Sequence, residues 1–101
     1  MKNLKILLAL TVIAPAFADG AFGYTGEELA KTAKVTLELA TDIALRTRPG
    51  KITDKELERE KGGTGLRYSF DIRNKGITYE VGIDAQTGAV LENIREGAHP
   101  D

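Results

Sequence analysis

Few residues in this chain could do hydrolytic chemistry. His99 is the only histidine, Ser69 is the only serine, and there is no cysteine. A Ser-His-Asp arrangement would need a serine on the solvent side of a strand to meet a histidine in the C-terminal tail. A histidine-based zinc or haem site also lacks ligands. We therefore predict no catalytic, metal-binding or cofactor-binding residues and expect His99 to be solvated.

The turn that begins at Asp84 partly matches one catalytic pattern and one metal-binding pattern. Thr87 and Gly88 match half of an aspartic-protease signature, but Gln86 stands where the catalytic aspartate would have to be. In a calcium loop that starts at Asp84, Gly88 would take ligand position five and Arg95 would replace the bidentate glutamate at position twelve. We interpret Asp84 instead as a hydrogen-bond acceptor for its own turn.

An acidic strip and a glycine-rich loop complete the set of candidate sites. Glu56, Glu58 and Glu60 share one side of a predicted strand, with basic residues interleaved along Lys55–Lys61. This alternation is typical of a solvated edge strand rather than of a metal or catalytic site. The loop Gly62–Gly65 lacks the Lys-Ser/Thr pair of a phosphate-binding loop and is expected to be a turn.

The first 18 residues have the three parts of a cleavable secretory signal. Lys2 and Lys5 form a basic start, Ile6–Ile13 is apolar, and Ala16-Phe17-Ala18 provides a cleavage site. The apolar block is shorter than the roughly 20 residues that span a bilayer. We therefore expect an exported bacterial protein that is periplasmic, at the cell surface or secreted, and that has no stable membrane anchor once the signal is cleaved after Ala18.

Length and charge restrict the remaining chain to one small domain. The formal net charge of the 101 residues is −1, and removal of the basic signal makes the remainder more acidic. This balance offers no electrostatic footprint for nucleic acid. We expect a flexible N-terminus at residues 19–25, one domain at residues 26–95 and a frayed tail at residues 96–101.

The first structured element is predicted to be an amphipathic helix from Gly26 to Arg46. Thr25 and Glu28 have the spacing of a capping box, and Pro49-Gly50 ends the helical pattern. The predicted core-facing stripe contains Leu29, Ala33, Leu37, Leu39, Ala40, Ile43 and Ala44. Such a stripe is typical of a helix that covers one face of a sheet.

Strand patterns follow the helix. Apolar and polar residues alternate over Leu66–Ile72 and over Ile77–Ile83, which predicts a hairpin through Asn74-Lys75-Gly76. A further turn ends at Gly88, with positive φ expected there, and Ala89–Ile94 forms a last strand.

The segment Lys51–Lys61 is the least regular strand prediction. Ile52 and Leu57 have opposite parity, and local propensity also favours a helical turn around Leu57. We predict an edge strand with an irregularity. The fold class is then α+β, with one amphipathic helix packed on a three- to four-stranded antiparallel β-meander.

Taken together, these segments resemble a known family. The residues concerned are Ala44-Leu45, Pro49-Gly50-Lys51-Ile52, Glu56-Leu57-Glu58, Tyr68, Tyr79-Glu80-Val81 and Ile83-Asp84-Ala85-x-Thr87-Gly88-x-Val90-Leu91. They resemble a PepSY domain over roughly Leu29–Ile94, with Gly82 as a departure that suggests a bulge or a close backbone approach. The resemblance implies an extracytoplasmic domain that restrains or modulates peptidases and that has no catalytic residue set.

Three function classes follow in order of preference. The first is a non-catalytic binding module that modulates a peptidase or an envelope sensor through protein contact, with an edge strand at Lys51–Lys61 or Ala89–Ile94 pairing with an extended partner segment. The second is a small-ligand or metal-ion-binding accessory protein of the envelope. The third is a hydrolase that uses Ser69 or His99.

Overall fold

A computed structural model describes residues 23–97. The elements are a 3₁₀-helix Glu27–Thr32, the α-helix α1 Leu37–Thr47, and the strands β1 Lys51–Arg59, β2 Leu66–Asn74, β3 Ile77–Asp84 and β4 Val90–Arg95. They form one helix layer on an antiparallel sheet, so the predicted α+β class is confirmed. The predicted signal at residues 1–18 and the tail residue His99 lie outside the described residues.

The sheet is a meander in the order β1-β2-β3-β4, with each strand antiparallel to the next. The predicted β2–β3 hairpin is present as a two-residue loop. Its residues Lys75 and Gly76 have φ values of 52° and 80°, the left-handed conformations that a type I′ turn needs to match strand twist. Because this order leaves β1 and β4 at the edges, both predicted edge strands are confirmed.

Strand β1 contains the predicted irregularity. Ile52 is opposite Ile72 and Asp54 is opposite Asp71, so Thr53 is an extra residue that shifts the register. A bulge of this kind reverses the alternation of side chains. It turns Ile52 and the buried Leu57 toward the same side of the sheet, which explains their opposite parity in the sequence. The alternative of a helical turn around Leu57 is wrong.

The continuous helix predicted from Gly26 to Arg46 is wrong. Gly26 has φ 86° and makes no side-chain cap, and the 3₁₀-helix that follows it ends before the extended residue Ala33. The α-helix starts later, where the Thr36 hydroxyl accepts a hydrogen bond from the Leu39 N–H at 3.1 Å. Thr36 is therefore the N-cap, and the predicted capping box at Thr25 does not form.

The helical pattern is interrupted because the chain makes a contact with the end of β3. The backbone N–H groups of Lys34 and Val35 both donate to the Ala85 carbonyl oxygen, at 3.0 and 2.9 Å. The Val35 carbonyl in turn accepts a 2.6 Å hydrogen bond from the Tyr68 hydroxyl. These bonds to distant residues replace the i to i−4 bonds that a continuous helix would make.

The core lies between α1 and the sheet. Ala40 and Ala44 are fully buried, and their small side chains let α1 approach the strands closely. Leu39 is 47% exposed, so its predicted core position is wrong, while Ile43 packs against the core as expected. The buried apolar residues are Val35, Ala40, Ala44, Leu57, Leu66, Tyr68, Phe70, Ile72, Val81, Ile83 and Ala85.

Candidate binding surfaces

Asp84 is a buried structural carboxylate. Its oxygens accept hydrogen bonds from the Thr64 N–H at 2.7 Å, the Thr64 hydroxyl at 2.8 Å, and the N–H groups of Gln86 and Thr87 at 2.8 and 3.0 Å. Burial by itself raises the pKa of Asp84, but these donors outweigh burial and lower the pKa to about 2. The group therefore stays ionised near neutral pH and ties the glycine-rich loop to the β3–β4 turn.

This arrangement agrees with the interpretation of Asp84 as a turn acceptor. Gly88 closes the turn with φ 81°, as predicted, and its N–H donates to the Asp84 carbonyl at 2.9 Å. Sequence reasoning missed the partner Thr64, which comes from a loop 20 residues earlier. Only the pairing of β2 with β3 brings that loop to Asp84.

Arg67 lies across the side of the sheet that α1 does not cover. It is 7% exposed, and its guanidinium donates to the Lys61 carbonyl at 2.8 Å and meets the Glu92 carboxylate at 3.4 Å. A Cβ atom at Gly82 would lie 3.1 Å from the Arg67 Nη1 atom and 3.3 Å from the Glu92 Cβ atom. The absence of a side chain at Gly82 thus leaves room for the Arg67 side chain. Gly82 also lies at a β-bulge, as its position in the strand suggested.

We call the uncovered side of the sheet the acid face. The strand register places on it the carboxylates Asp54, Glu56, Glu58, Asp71, Glu80 and Glu92. Burial is the main cause that raises the pKa of Glu56, and the neighbouring carboxylates Glu58 and Asp54 add to it. Burial, followed by Glu96 and Asp54, likewise raises the pKa of Asp71. Repulsion between neighbouring carboxylates therefore adds to burial in raising the pKa of Glu56 and of Asp71.

The predicted acidic strip is part of this face. Glu56, Glu58 and Glu60 line a shallow depression of about 260 Å³ together with Ser69 and Glu92. The Ser69 hydroxyl donates a 2.6 Å hydrogen bond to the Glu58 carboxylate, and no histidine lies within residues 23–97. Over the same residues, no three acidic, histidine or cysteine side chains are arranged to hold a metal ion.

The opposite side of the sheet carries a groove between α1 and β1. Helix α1 packs on β2, β3 and β4, whereas the short 3₁₀-helix is the element that contacts β1. The gap between them has a volume of about 1070 Å³. We call it the β1 groove; its apolar lining includes Tyr24, Leu37 and Ile52, and its polar lining includes Glu38, Thr41, Asp42, Asp54 and Lys55.

The outer edge of β1 is covered along part of its length. Thr25 forms a parallel bridge with Glu56, and its carbonyl accepts a 2.9 Å hydrogen bond from the Leu57 N–H. Gly26 then turns the chain away, and a Cβ atom there would collide with the Leu57 carbonyl. Within residues 23–97, no strand pairs with the outer side of Lys51–Asp54.

The β4 edge differs because α1 is anchored beside it. The Arg48 guanidinium stacks 3.8 Å from the Tyr79 ring centre, and its Nε atom donates to the Asn93 side chain at 3.2 Å. The N–H of Glu96 points inward to Thr78 at 2.9 Å. Because the N–H groups of adjacent residues in a strand point in opposite directions, and Asn93 is three residues before Glu96, the N–H of Asn93 points outward.

These features define a small α+β module with a buried structural aspartate, an acid face and a groove beside an edge strand. A family model described as "Peptidase propeptide and YPEB domain" (PepSY) matches residues 34–93, which is more than half of the chain. The chain belongs to the PepSY family, as its motifs suggested. Searches of curated proteins and of solved structures found no match.

Family membership supports only a coarse statement of role. The chain contains a peptidase-propeptide-like module, and domains of this family are generally non-catalytic and typically extracytoplasmic. No helix among residues 23–97 is long and apolar enough to cross a lipid bilayer.

Proposed function

We propose that this protein is a non-catalytic, exported binding module that modulates a peptidase or an envelope sensor by taking up an extended segment of that partner as an added strand. The observation that carries the proposal is the position of β1 and β4 at the edges of the sheet. An edge strand offers main-chain donors and acceptors to a partner strand, and its alternate side chains supply selectivity.

Two further features support a contact role. Asp84 is held by four donors as the acceptor of its own turn, and the Ser69 hydroxyl donates to Glu58, so both groups have structural partners within the fold. The family description connects domains of this kind with peptidase propeptides. A propeptide acts on its peptidase by contact, and the same mode of action is what we propose for this chain.

Binding and regulation are tested with protein purified from cells that express the full chain. Cross-linking in an envelope extract of the producing bacterium, followed by purification of the recovered peptidase or sensor ectodomain, should give a stoichiometric complex. Addition of the protein should then change peptidase activity or sensor output. If the purified candidates neither bind the protein nor change their activity on its addition, the proposed function is wrong.

Export is tested separately. Residues 1–18 have the composition of a signal, so we expect the protein in the periplasmic or extracellular fraction with an N-terminus that begins at Asp19. N-terminal sequencing of the fractionated protein measures this. Recovery of the uncleaved chain in the cytoplasm would contradict the proposed localisation.

A further inference from the structure

We propose that the partner segment binds at the β1 groove and that apolar and basic side chains alternate along it. The segment would lie beside Lys51–Lys55 as a fifth strand, with its apolar side chains in the groove and its basic side chains on the acid face. This inference rests on the proposed function and specifies both the edge that is used and the chemistry of the sequence recognised there.

The first step concerns space at the edge. Thr25 bonds to the outer side of β1 at Glu56 and Leu57, and Gly23 and Tyr24 before it line one wall of the β1 groove. Toward Lys51, no strand among residues 23–97 pairs with the outer side of β1, which borders the groove of about 1070 Å³. At about 3.4 Å per residue, a segment of four or five residues matches the length of β1 between Lys51 and Lys55.

The second step concerns the groove side of an added strand. Ile52 is only partly buried because α1 packs on the other three strands. Together with Tyr24 and Leu37, it offers apolar surface that a partner side chain would remove from water. Successive side chains of a strand point to opposite faces, so every second partner residue would enter the groove.

The third step concerns the opposite side of that strand. The partner side chain opposite Asp54 would stand on the acid face, and Glu56, whose outer edge is covered by Thr25, would be its diagonal neighbour. Carboxylates already crowd this region, and burial with like charge raises the pKa of Glu56. The Arg67 guanidinium on the same face is bonded to the Lys61 carbonyl and to Glu92. A cation from the partner would therefore be favoured there.

The groove rim and the start of β1 restrict the pattern further. Glu38 and Asp42 bring negative charge to the lining of the groove, and Lys55 brings a positive charge. Lys51, by contrast, is paired with Arg73, so that end of the strand is basic. A basic residue of the partner should accordingly fall opposite Asp54 and not opposite Lys51.

The test uses fluorescently labelled heptapeptides and protein purified from cells that express the full chain. Fluorescence polarisation compares a peptide in which Lys and Val alternate with a peptide of the same composition in two blocks, and with one in which Glu replaces Lys. We expect the alternating Lys peptide to bind, the block peptide to bind at least about tenfold more weakly, and the Glu peptide not to bind. Binding should weaken with added salt.

A matched pair of variants locates the charge. Asp54→Asn, at the β1 edge, should weaken binding of the alternating peptide about threefold, the scale of one cross-strand charge pair. Glu96→Gln removes the same charge from an exposed position after β4 and should leave binding within about twofold. Equal losses in the two variants would mean long-range attraction only, and would overturn the β1 site.

A second pair of measurements locates the edge. Asn93→Pro removes the outward donor of β4, so it should leave peptide binding unchanged, as should the control Asn93→Ala. Amide NMR shifts should change at Lys51–Asp54 and not at Val90–Arg95. If Asn93→Pro abolishes binding and β4 amides shift, the β1 site is wrong while strand addition, and with it the proposed function, still stands.

The remaining outcomes also decide between the two proposals. If no heptapeptide binds but a purified peptidase or sensor does, the proposed function stands and the recognition pattern is wrong. If the peptide binds only after residues 1–22 are removed, or if Asp54→Asn converts a dimer into a monomer by sedimentation, then the occupant is the chain's own N-terminus or a second copy. Either result would overturn the inference.

Discussion

Asp84 is the polar residue on which most of the local structure depends. It is 1% exposed and accepts four hydrogen bonds from two separate parts of the chain, the loop at Thr64 and its own turn. A buried carboxylate is tolerated only when donors replace its lost hydration. Here they do so fully enough to lower its pKa, which makes the residue a source of stability near neutral pH.

We predict that Asp84→Asn lowers the free energy of unfolding by about 2 kcal/mol at pH 7. The amide nitrogen would face the Thr64 N–H, so a donor would meet a donor. The folded pKa of about 2 lies below the usual 3.8, so the contribution of Asp84 is present above about pH 4 and is lost as the pH falls toward 2. Urea titrations of both proteins between pH 7 and pH 2 measure this.

The control for this prediction is Asp42→Asn, which removes an exposed carboxylate from α1. It should change the unfolding free energy by less than about 0.5 kcal/mol at every pH. A difference between Asp84→Asn and the parent that stayed constant from pH 7 to pH 2 would contradict the ionic role of Asp84.

At the scale of elements, the start of α1 depends on its N-cap. The local sequence pattern predicts this cap eleven residues too early. Thr25-Gly26-Glu27-Glu28 has a good capping-box spacing, yet Gly26 adopts a left-handed conformation and the chain there bridges to β1. Thr36 caps α1 instead. Because the helical pattern is interrupted, only the short 3₁₀-helix packs on β1, and the β1 groove stays open.

Two threonine substitutions distinguish Thr36 from Thr25 as the N-cap of the helix. Thr36→Ala should lower the free energy of unfolding by about 1 kcal/mol, because the Leu39 N–H loses its acceptor. Thr25→Ala should cost less than about 0.5 kcal/mol, because Thr25 contacts β1 through its backbone. Thermal or urea unfolding measures both, and a larger loss at Thr25 than at Thr36 would favour the continuous helix.

At the scale of the whole molecule, the two sides of the sheet differ in charge. One side is closed by α1 over an apolar core, and the other carries the acid face. Asp71 lies in the middle of that face, where burial and the carboxylates Glu96 and Asp54 raise its pKa. Ionising Asp71 therefore costs the folded state more than it costs the unfolded chain.

We predict that Asp71→Asn stabilises the protein at pH 7, by up to about 1 kcal/mol given partial solvent screening. Since the folded pKa of Asp71 lies above its usual 3.8, its penalty is absent at pH 3 and appears as the pH rises through the folded pKa. Melting temperatures at pH 3 and pH 7 should show the gain only at pH 7. A gain of equal size at both pH values would point to a cause other than charge repulsion.

Much of the sheet could be predicted because strand alternation and turn residues are local signals. The hairpin at Lys75-Gly76, the acceptor role of Asp84 and the irregular edge strand at Lys51–Arg59 all followed from residue types and spacing. The surfaces could not be predicted to the same extent. Glu56 and Asp71 are not neighbours in the sequence, and only the antiparallel register places them on one acid face.

The sequence by itself determined the family and the meander, because these depend on motifs and on alternation within short segments. Tertiary structure decided three other features: the late start of α1, the burial of Arg67 beside Gly82, and the groove next to β1. Each depends on bonds or packing between residues far apart in the chain, such as those of Val35 with Ala85 and Tyr68. Such contacts outweigh local helix propensity because they give hydrogen-bond partners to buried polar groups, and a continuous helix would not bring these groups together.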